Sequence, residues 1–434
     1  MVPGAADAPV PSLPSEPKDK PMARPPAPPK AEVVKPEVVK VPSEKPAVSV
    51  RTLPAPPADK AMVPGTPGDP VPSMPAEPKD KSMAKSEGSD KASPAHPPAK
   101  KEYPVVGEVE RLDPALDRLI APGTKIEKLA AGFQWAEGPV WDAKTGTLLF
   151  SDVPRNVVFQ WKEGVGTRDF LFPSGYTGKV SRGGEPGSNG LAEDEQGRLV
   201  LCEHGDRRVA RLNSNGTKTT LAEYYLGRRL NSPNDLVVRG TGDIYFTDPS
   251  YGLEGGEKST AKELLFNGVY LIKRTGEVVL LTKDLSFPNG VALSPDENIL
   301  YVAVSDQAKP GIMAFPIKKD GTLGECRCFF DAAPLVQGRK GLPDGLKTDA
   351  AGNVYATGPG GVLVISPEGK HLGTINTGEA TANCAWGGDG STLYITANNM
   401  LCRIKTLSKG REFGGKPHPS VKDSAMAQSA KPAK

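Results

Sequence analysis

Residues 230–252 read LNSPNDLVVRGTGDIYFTDPSYG. A polar loop (Asn231, Ser232, Pro233, Asn234, Asp235) drops into the apolar run Leu236, Val237 and Val238. A Gly turn follows, then Ile244, Tyr245 and Phe246, then a second polar loop from Asp248 to Tyr251. Two apolar runs about a Gly turn are an ordinary hairpin signal. The weight of this one comes from repetition, because the chain writes the same pattern six times with a carboxylate or carboxamide where Asn234 stands.

The other copies open at Glu137-Gly138-Pro139-Val140, Asn189-Gly190-Leu191-Ala192, Asn289-Gly290-Val291-Ala292, Asp344-Gly345-Leu346 and Asn383-Cys384-Ala385, each followed by an apolar strand. The copies recur at roughly the spacing of propeller blades, about 40–50 residues. The expected fold is therefore all-β, a six-bladed β-propeller spanning residues 103–407.

In a propeller the innermost strand of each blade runs beside a central channel. A polar residue at that position in all six blades places Glu137, Asn189, Asn234, Asn289, Asp344 and Asn383 in a ring at one channel mouth. The ring is rich in oxygen donors with only two formal negative charges, which suits a hard divalent cation, calcium first, with magnesium or manganese as further candidates. Zinc ordinarily takes His or Cys, and the ring has neither. The competing account is local: Asn or Asp before Gly is a turn residue that tolerates the left-handed region. Glu137 resists that account, since Glu is not a turn former, and so does the agreement among six copies.

Residues 1–102 are dominated by Pro, Ala, Lys, Glu and Ser with almost no aromatic side chains. Such a segment cannot bury enough apolar surface to offset the entropy of ordering, so disorder is expected. It carries an internal duplication: MVPGAADAPVPSLPSEPKDKPMAR at 1–24 returns as MVPGTPGDPVPSMPAEPKDKSMAK at 62–85. Residues 408–434 are polar and are expected to be a disordered tail. A net charge of +3 and the lack of a basic stripe with interleaved aromatics give nucleic-acid binding no support. No run of about 18 apolar residues is present, so no membrane span is expected. The N-terminus lacks the charged-then-apolar pattern of a secretory signal, which leaves the compartment open. Five cysteines do not make a disulfide framework, and buried free thiols are expected. Nothing in the chain speaks to its oligomeric state.

Residues 103–121 gain apolar residues at mixed helical spacing, which predicts a short helix leading into the domain. Residues 125–132 (KIEKLAAG) read as a strand. Because the sixth copy ends near Ile404, this strand is expected to supply the outer strand of the last blade and close the ring. The Gly-rich and Ser-rich insertion at residues 172–188 is expected to hang over the channel mouth, where long loops are often functional, and a second long loop runs over residues 251–266.

Glu-Gly-Pro-Val-Trp at 137–141, Ser-Asn-Gly-Leu at 188–191, Ser-Pro-Asn-Asp at 232–235, Pro-Asn-Gly at 288–290 and Pro-Asp-Gly at 343–345 resemble the motifs of the gluconolactonase/regucalcin (senescence marker protein) family. The resemblance covers about residues 103–407. It implies a six-bladed propeller with a divalent metal in the channel, held by Glu137, Asn289 and Asp344, with Asn234 at the metal or substrate. The animal branch has an Arg two residues before its counterpart of Asn234, where this chain has Ser232. With its Cys-Glu-His-Gly at 202–205 and Arg207-Arg208, the chain looks closer to the bacterial lactonase-like branch.

The chemistry that fits both lines is metal-assisted opening of a cyclic ester, with Asp344 or a water it orients as general base. His204 is a candidate acid or substrate donor, against the alternative of a satisfied structural histidine. Asn189, Asn234, Asp248, Tyr251 and Asn383 are candidate substrate contacts, although Asp248 before Pro249 is equally good turn chemistry. Arg207 and Arg208 read as surface or packing residues. A phosphotriesterase-like hydrolase on the same metal site and a non-catalytic calcium- or carbohydrate-binding propeller remain open, because fold does not determine function.

Overall fold

The computed structural model describes residues 102–180 and 182–413; the duplicated segment before them and residues 414–434 lie outside the described residues. Among the described residues six antiparallel sheets of four or five strands follow one another, with a two-stranded ribbon of Tyr224–Tyr225 and Arg228–Arg229 between the second and third. The first blade is Ala136–Asp142, Thr147–Asp152, Val157–Lys162 and Gly166–Leu171, and the second is Ser188–Glu193, Leu199–Glu203, Arg208–Leu212 and Lys218–Ala222. Leu236–Val238, Ile244–Asp248, Gly268–Ile272 and Val278–Thr282 form the third. The fourth is Pro288–Leu293, Ile299–Val304, Gly311–Pro316 and Arg327–Asp331. The fifth runs Leu346–Thr348, Val354–Gly358, Gly361–Ile365 and His371–Asn376, and the sixth begins Thr381–Gly387, Thr392–Ala397 and Met400–Lys405.

The second strand of a blade is buried on both faces, because each blade is sandwiched between its neighbours. TLLFSD, IYFTD and VYATG accordingly contain no exposed residue. The apolar clusters lie between blades rather than within them: Val200, Cys202 and Val209 of the second blade pack on Leu236, Phe246 and Tyr270 of the third. The rings of Phe246 and Tyr270 stack there at 5.1 Å.

The ring closes as the sequence led us to expect. Ile126–Ala131 pairs antiparallel with Met400–Lys405 and completes the sixth blade, and the innermost strands of the sixth and first blades touch. Arg403 fastens this seam, its guanidinium held by Glu127 at 2.6 Å and by Glu163 and lying over the Tyr103 ring at 5.0 Å. The expected helix over 103–121 is corrected. Val105–Val106 adds a fifth strand to the sixth blade, Glu108–Arg111 adds a fifth to the fifth blade, and only Pro114–Arg118 is helical, as one 3-10 turn. Pairing with two exposed sheet edges outcompetes a helix that would have buried one stripe, and it covers edges that would otherwise be open to other chains.

Residues 408–413 of the expected disordered tail are ordered. Arg411 donates to Glu297 at 3.2 Å and to the Val238 carbonyl at 3.4 Å, and Phe413 walls an apolar cavity of about 310 Å3 lined by the ends of the innermost strands away from the polar ring. Cys202, Cys384 and Cys402 are buried free thiols as expected, whereas Cys326 and Cys328 are exposed on the outer edge of the fourth blade. Among the described residues no helix is long and apolar enough to cross a membrane.

Candidate functional site

In four of the six blades the ladder of the innermost strand is irregular beside the ring residue, and in three of these a Gly sits at the irregularity. The pairing with the second strand skips between Glu137 and Val140, between Ser188 and Leu191 and between Pro288 and Val291. A Cβ on Gly138 would lie 2.0 Å from the Asn189 carbonyl oxygen, and one on Gly290 would lie 2.1 Å from that of Asp344. Gly138, Gly190 and Gly290 thus let the backbone of another blade press close at the channel. Cross-links hold the contact: Gly190 N–H donates to the Asn234 carbonyl at 2.7 Å, Ser151 Oγ to that of Asn189 at 2.9 Å and Thr247 Oγ1 to that of Asn289 at 2.6 Å.

A cavity of about 840 Å3 opens at this mouth, and Glu137, Asn189, Asn234, Asn289 and Asp344 all line it. Asn383 does not. The ladder of the sixth blade skips at Ala382, so Asn383 pairs with Thr396 below the skip while Thr381 takes the lining position. The Asn383 carboxamide oxygen accepts from Cys384 N–H at 2.9 Å and Lys347 Nζ at 3.3 Å.

Burial pushes the Glu137 carboxyl upward, only partly offset by the Gly138 N–H that donates to it at 2.9 Å, with the charges of Asp235 and Glu185 adding to the rise. Asp344 is raised well above the carboxylate range by burial and then by Glu137, Asp235 and Glu185, against a partial offset from the Asn289 carboxamide. The Asn289 amide nitrogen donates to Ser305 Oγ at 2.9 Å, while its buried carboxamide oxygen has no partner among the described residues. Two destabilised carboxylates and an unpaired carboxamide oxygen on one small cavity fit a hard divalent cation, whose charge would relieve all three. Among the described residues no group of three or more His, Cys, Asp or Glu side chains is disposed to hold a metal, and the donors on this cavity combine carboxylates with carboxamides.

Asp248 is fully buried and lies away from the cavity. Its two oxygens accept Asn231 N–H and Ser232 N–H, each at 2.8 Å, which clamps the loop that delivers Asn234. Asp152 does the same for Gln134 and Trp135, the residues that lead into Glu137. Arg207, expected at the surface or in packing, is buried and donates to the carbonyls of Leu230 and Asn231 at 2.8 and 3.1 Å, steadying the same loop. Arg208 pairs with the buried Glu203.

Tyr251 lines the cavity, stacks on Phe287 and presents a hydroxyl without a hydrogen-bond partner among the described residues; burial raises its phenol above the usual range. His204 is wholly buried behind the cavity wall, its imidazole held neutral by burial, with its pKa lowered to about 3. Its Nδ1 lies 3.6 Å from Glu185 Oε2, too long for a hydrogen bond.

The cavity also contains residues that the repeat could not announce. Glu185 enters from the loop between the first two blades, with its carboxyl pushed up to about 7 by burial. Asp235, which takes the Gly position of the third copy, is buried off the cavity lining, with Leu236 N–H donating to it at 2.9 Å. Arg339, Val336 and Leu342 come from a third loop, which Arg339 anchors through a two-pronged pair with Glu110 at 2.8 and 3.0 Å. A Glu inside a Gly-rich and Ser-rich insertion directly before Asn189 was a usable signal for Glu185; Arg339 had none.

The profile of the SMP-30/Gluconolactonase/LRE-like region matches residues 135–399. A gluconolactonase of Zymomonas mobilis is 38% identical over 313 residues, covering 70% of this chain and 88% of that protein. The solved structure of a gluconolactonase from Xanthomonas campestris superposes with a TM-score of 0.61 at 31% identity, covering 72% of this chain and 100% of that one. Regucalcin of Xenopus laevis is 27% identical and covers 61% of this chain and 83% of its own length. With its five motifs set around one propeller mouth, this chain belongs to the SMP-30/gluconolactonase/LRE-like family.

Proposed function

We propose that the protein is a lactonase that opens a sugar lactone of the gluconolactone type, using a divalent cation held by Glu137, Asn234, Asn289 and Asp344. The observation that carries this reading is the convergence of Glu137, Asp344 and the unpaired Asn289 oxygen on one cavity. The gluconolactonases among its relatives support the substrate class. Calcium is the favoured ion for an all-oxygen donor set of two carboxylates and two carboxamides, ahead of magnesium, manganese and zinc. When bound, the cation supplies Lewis-acid polarisation of the lactone carbonyl.

The chain's own groups do the rest. Asp344, the ring carboxylate most open to the cavity, takes the proton from the attacking water. Asn189 and the Tyr251 hydroxyl offer hydrogen bonds to the sugar hydroxyls. Trp135, Val336 and Leu342 form an apolar wall that keeps bulk water from the ring face. The cavity volume is within the range of small-molecule sites.

The test is turnover of gluconolactone, other aldonolactones, an aryl ester and a phosphotriester by protein stripped with chelator, protein refilled with each cation, and Asp344→Asn. Cation-dependent lactone opening that vanishes in the variant is expected. Preference for the phosphotriester would move the assignment to that hydrolase class. Cation binding that raises the melting temperature without any turnover would leave a non-catalytic binding propeller.

A further inference from the structure

We propose that Glu185 is a second catalytic carboxyl, the donor of the proton taken up by the ring oxygen of the lactone as its C–O bond breaks. The inference rests on the lactonase reading and adds a group the repeat does not contain.

Glu185 sits in a loop, yet its place is rigid. Asn156 Oδ1 accepts the N–H groups of Ser174, Gly175 and Tyr176 at 3.1, 2.7 and 3.1 Å, which pins the loop's entry. At its exit, His204 N–H donates to the Gly187 carbonyl and Gly205 N–H to that of Pro186, both at 3.1 Å. The two residues after Glu185 are therefore bolted to the second blade, and its carboxyl faces the cavity that Glu137 and Asp344 line.

Behind it stands His204, fully buried, with neither ring nitrogen hydrogen-bonded among the described residues and Nδ1 the atom nearest the Glu185 carboxyl. Gly252 makes this packing possible, since a Cβ there would lie 2.4 Å from the His204 Cβ. The charged and titratable groups that bear on the pair are Glu137, Asp344 and Tyr251 from the cavity side and Arg182 beside the imidazole. The imidazole packs behind the Glu185 carboxyl without hydrogen-bonding to it.

Ester opening needs two proton transfers. The oxygen of water bonds to the carbonyl carbon and its proton passes to Asp344. The C–O bond to the ring oxygen then breaks, the electron pair stays on that oxygen, and Glu185 protonates it. Asp344 then loses its proton to solvent and Glu185 regains one, so one water is consumed for each hydroxy acid released. A sugar lactone expels an alkoxide, a strongly basic leaving group that is far poorer than a phenoxide. An aryl lactone expels a phenoxide, with a conjugate-acid pKa of about 10, and gains far less from the donor.

The experiment compares calcium-loaded wild type, Glu185→Gln and Glu185→Asp on δ-gluconolactone and on dihydrocoumarin, with the calcium-induced rise in melting temperature recorded for each. Glu185→Gln is expected to lose about 100-fold in kcat on δ-gluconolactone, the scale of one general acid, and less than about threefold on dihydrocoumarin. Its calcium response should be intact. Glu185→Asp, which keeps an acid one methylene back, should recover part of the δ-lactone rate, and it carries the same two-substrate comparison if the Gln variant does not fold. Equal losses on both substrates, or no loss on δ-gluconolactone, overturn the proposal. A wild type inactive on both lactones refutes the lactonase reading itself, and this proposal with it.

Discussion

Asp248→Asn separates a residue that holds the site from one that touches substrate. The carboxylate is fully buried and accepts two backbone N–H groups at 2.8 Å each. Burial pushes its pKa up, and the two N–H groups and the Arg207 guanidinium pull it back. Asparagine keeps one acceptor and turns an amide NH2 toward the second N–H, so a charge-assisted bond becomes donor against donor. A hydrogen bond to a charged group contributes about 1.5–3 kcal/mol, and leaving a buried donor unsatisfied costs a similar amount, so the expected loss is about 3 kcal/mol. A propeller of this size has an unfolding entropy of roughly 0.65 kcal/mol/K, so the midpoint should drop by about 5 °C. Because the clamped loop carries Asn234, kcat should fall and the calcium-induced stabilisation should shrink with it. The assay is calorimetric melting with chelator and with calcium, alongside lactone turnover. An unchanged midpoint with a raised KM would refute the clamp and restore Asp248 as a substrate contact.

The cation-free protein should lose stability as pH rises from about 4.5 to 7, because the native state, with Glu137, Asp344 and Glu185 raised by burial, holds protons that the unfolded chain has already released. His204, held neutral in the native state, opposes this below its ordinary value of 6.5, while Asp248, pushed up to about 7 by burial, adds to the fall. Excess calcium should flatten or reverse the slope; a cation-free melting midpoint that stays level or climbs over that range would contradict the burial argument. Gly290→Ala should cost about 2–3 kcal/mol, since its methyl group meets the Asp344 carbonyl oxygen at 2.1 Å and must part the fourth and fifth blades. It should also weaken the calcium response, because those blades carry Asn289 and Asp344; an unaltered melt and calcium response would show that the inner strands are not in close contact.

The parts of this protein written as repeats were legible. The hairpin at 230–252 and its five companions announced a propeller, and five of the six ring positions line one cavity because each stands at the mouth end of its blade's innermost strand. Asn383 misleads because its ladder skips one place earlier, a register change that leaves the sequence motif intact. The helix expected over 103–121 was misread because its residues answer to sheet edges supplied by His371–Asn376 and Ile126–Ala131.

Local pattern alone therefore determined the fold class, the blade count, the closing strand and most of the polar ring, since a strand's period and a Gly at a close approach are properties of neighbouring residues. Tertiary structure decided which polar residues face the cavity and which brace it. Asp248 became a clamp, His204 a buried neighbour of Glu185, and Glu185 itself a cavity residue. Those roles depend on contacts between blades and on burial, which set the charge a side chain can carry, and no spacing along the chain encodes either.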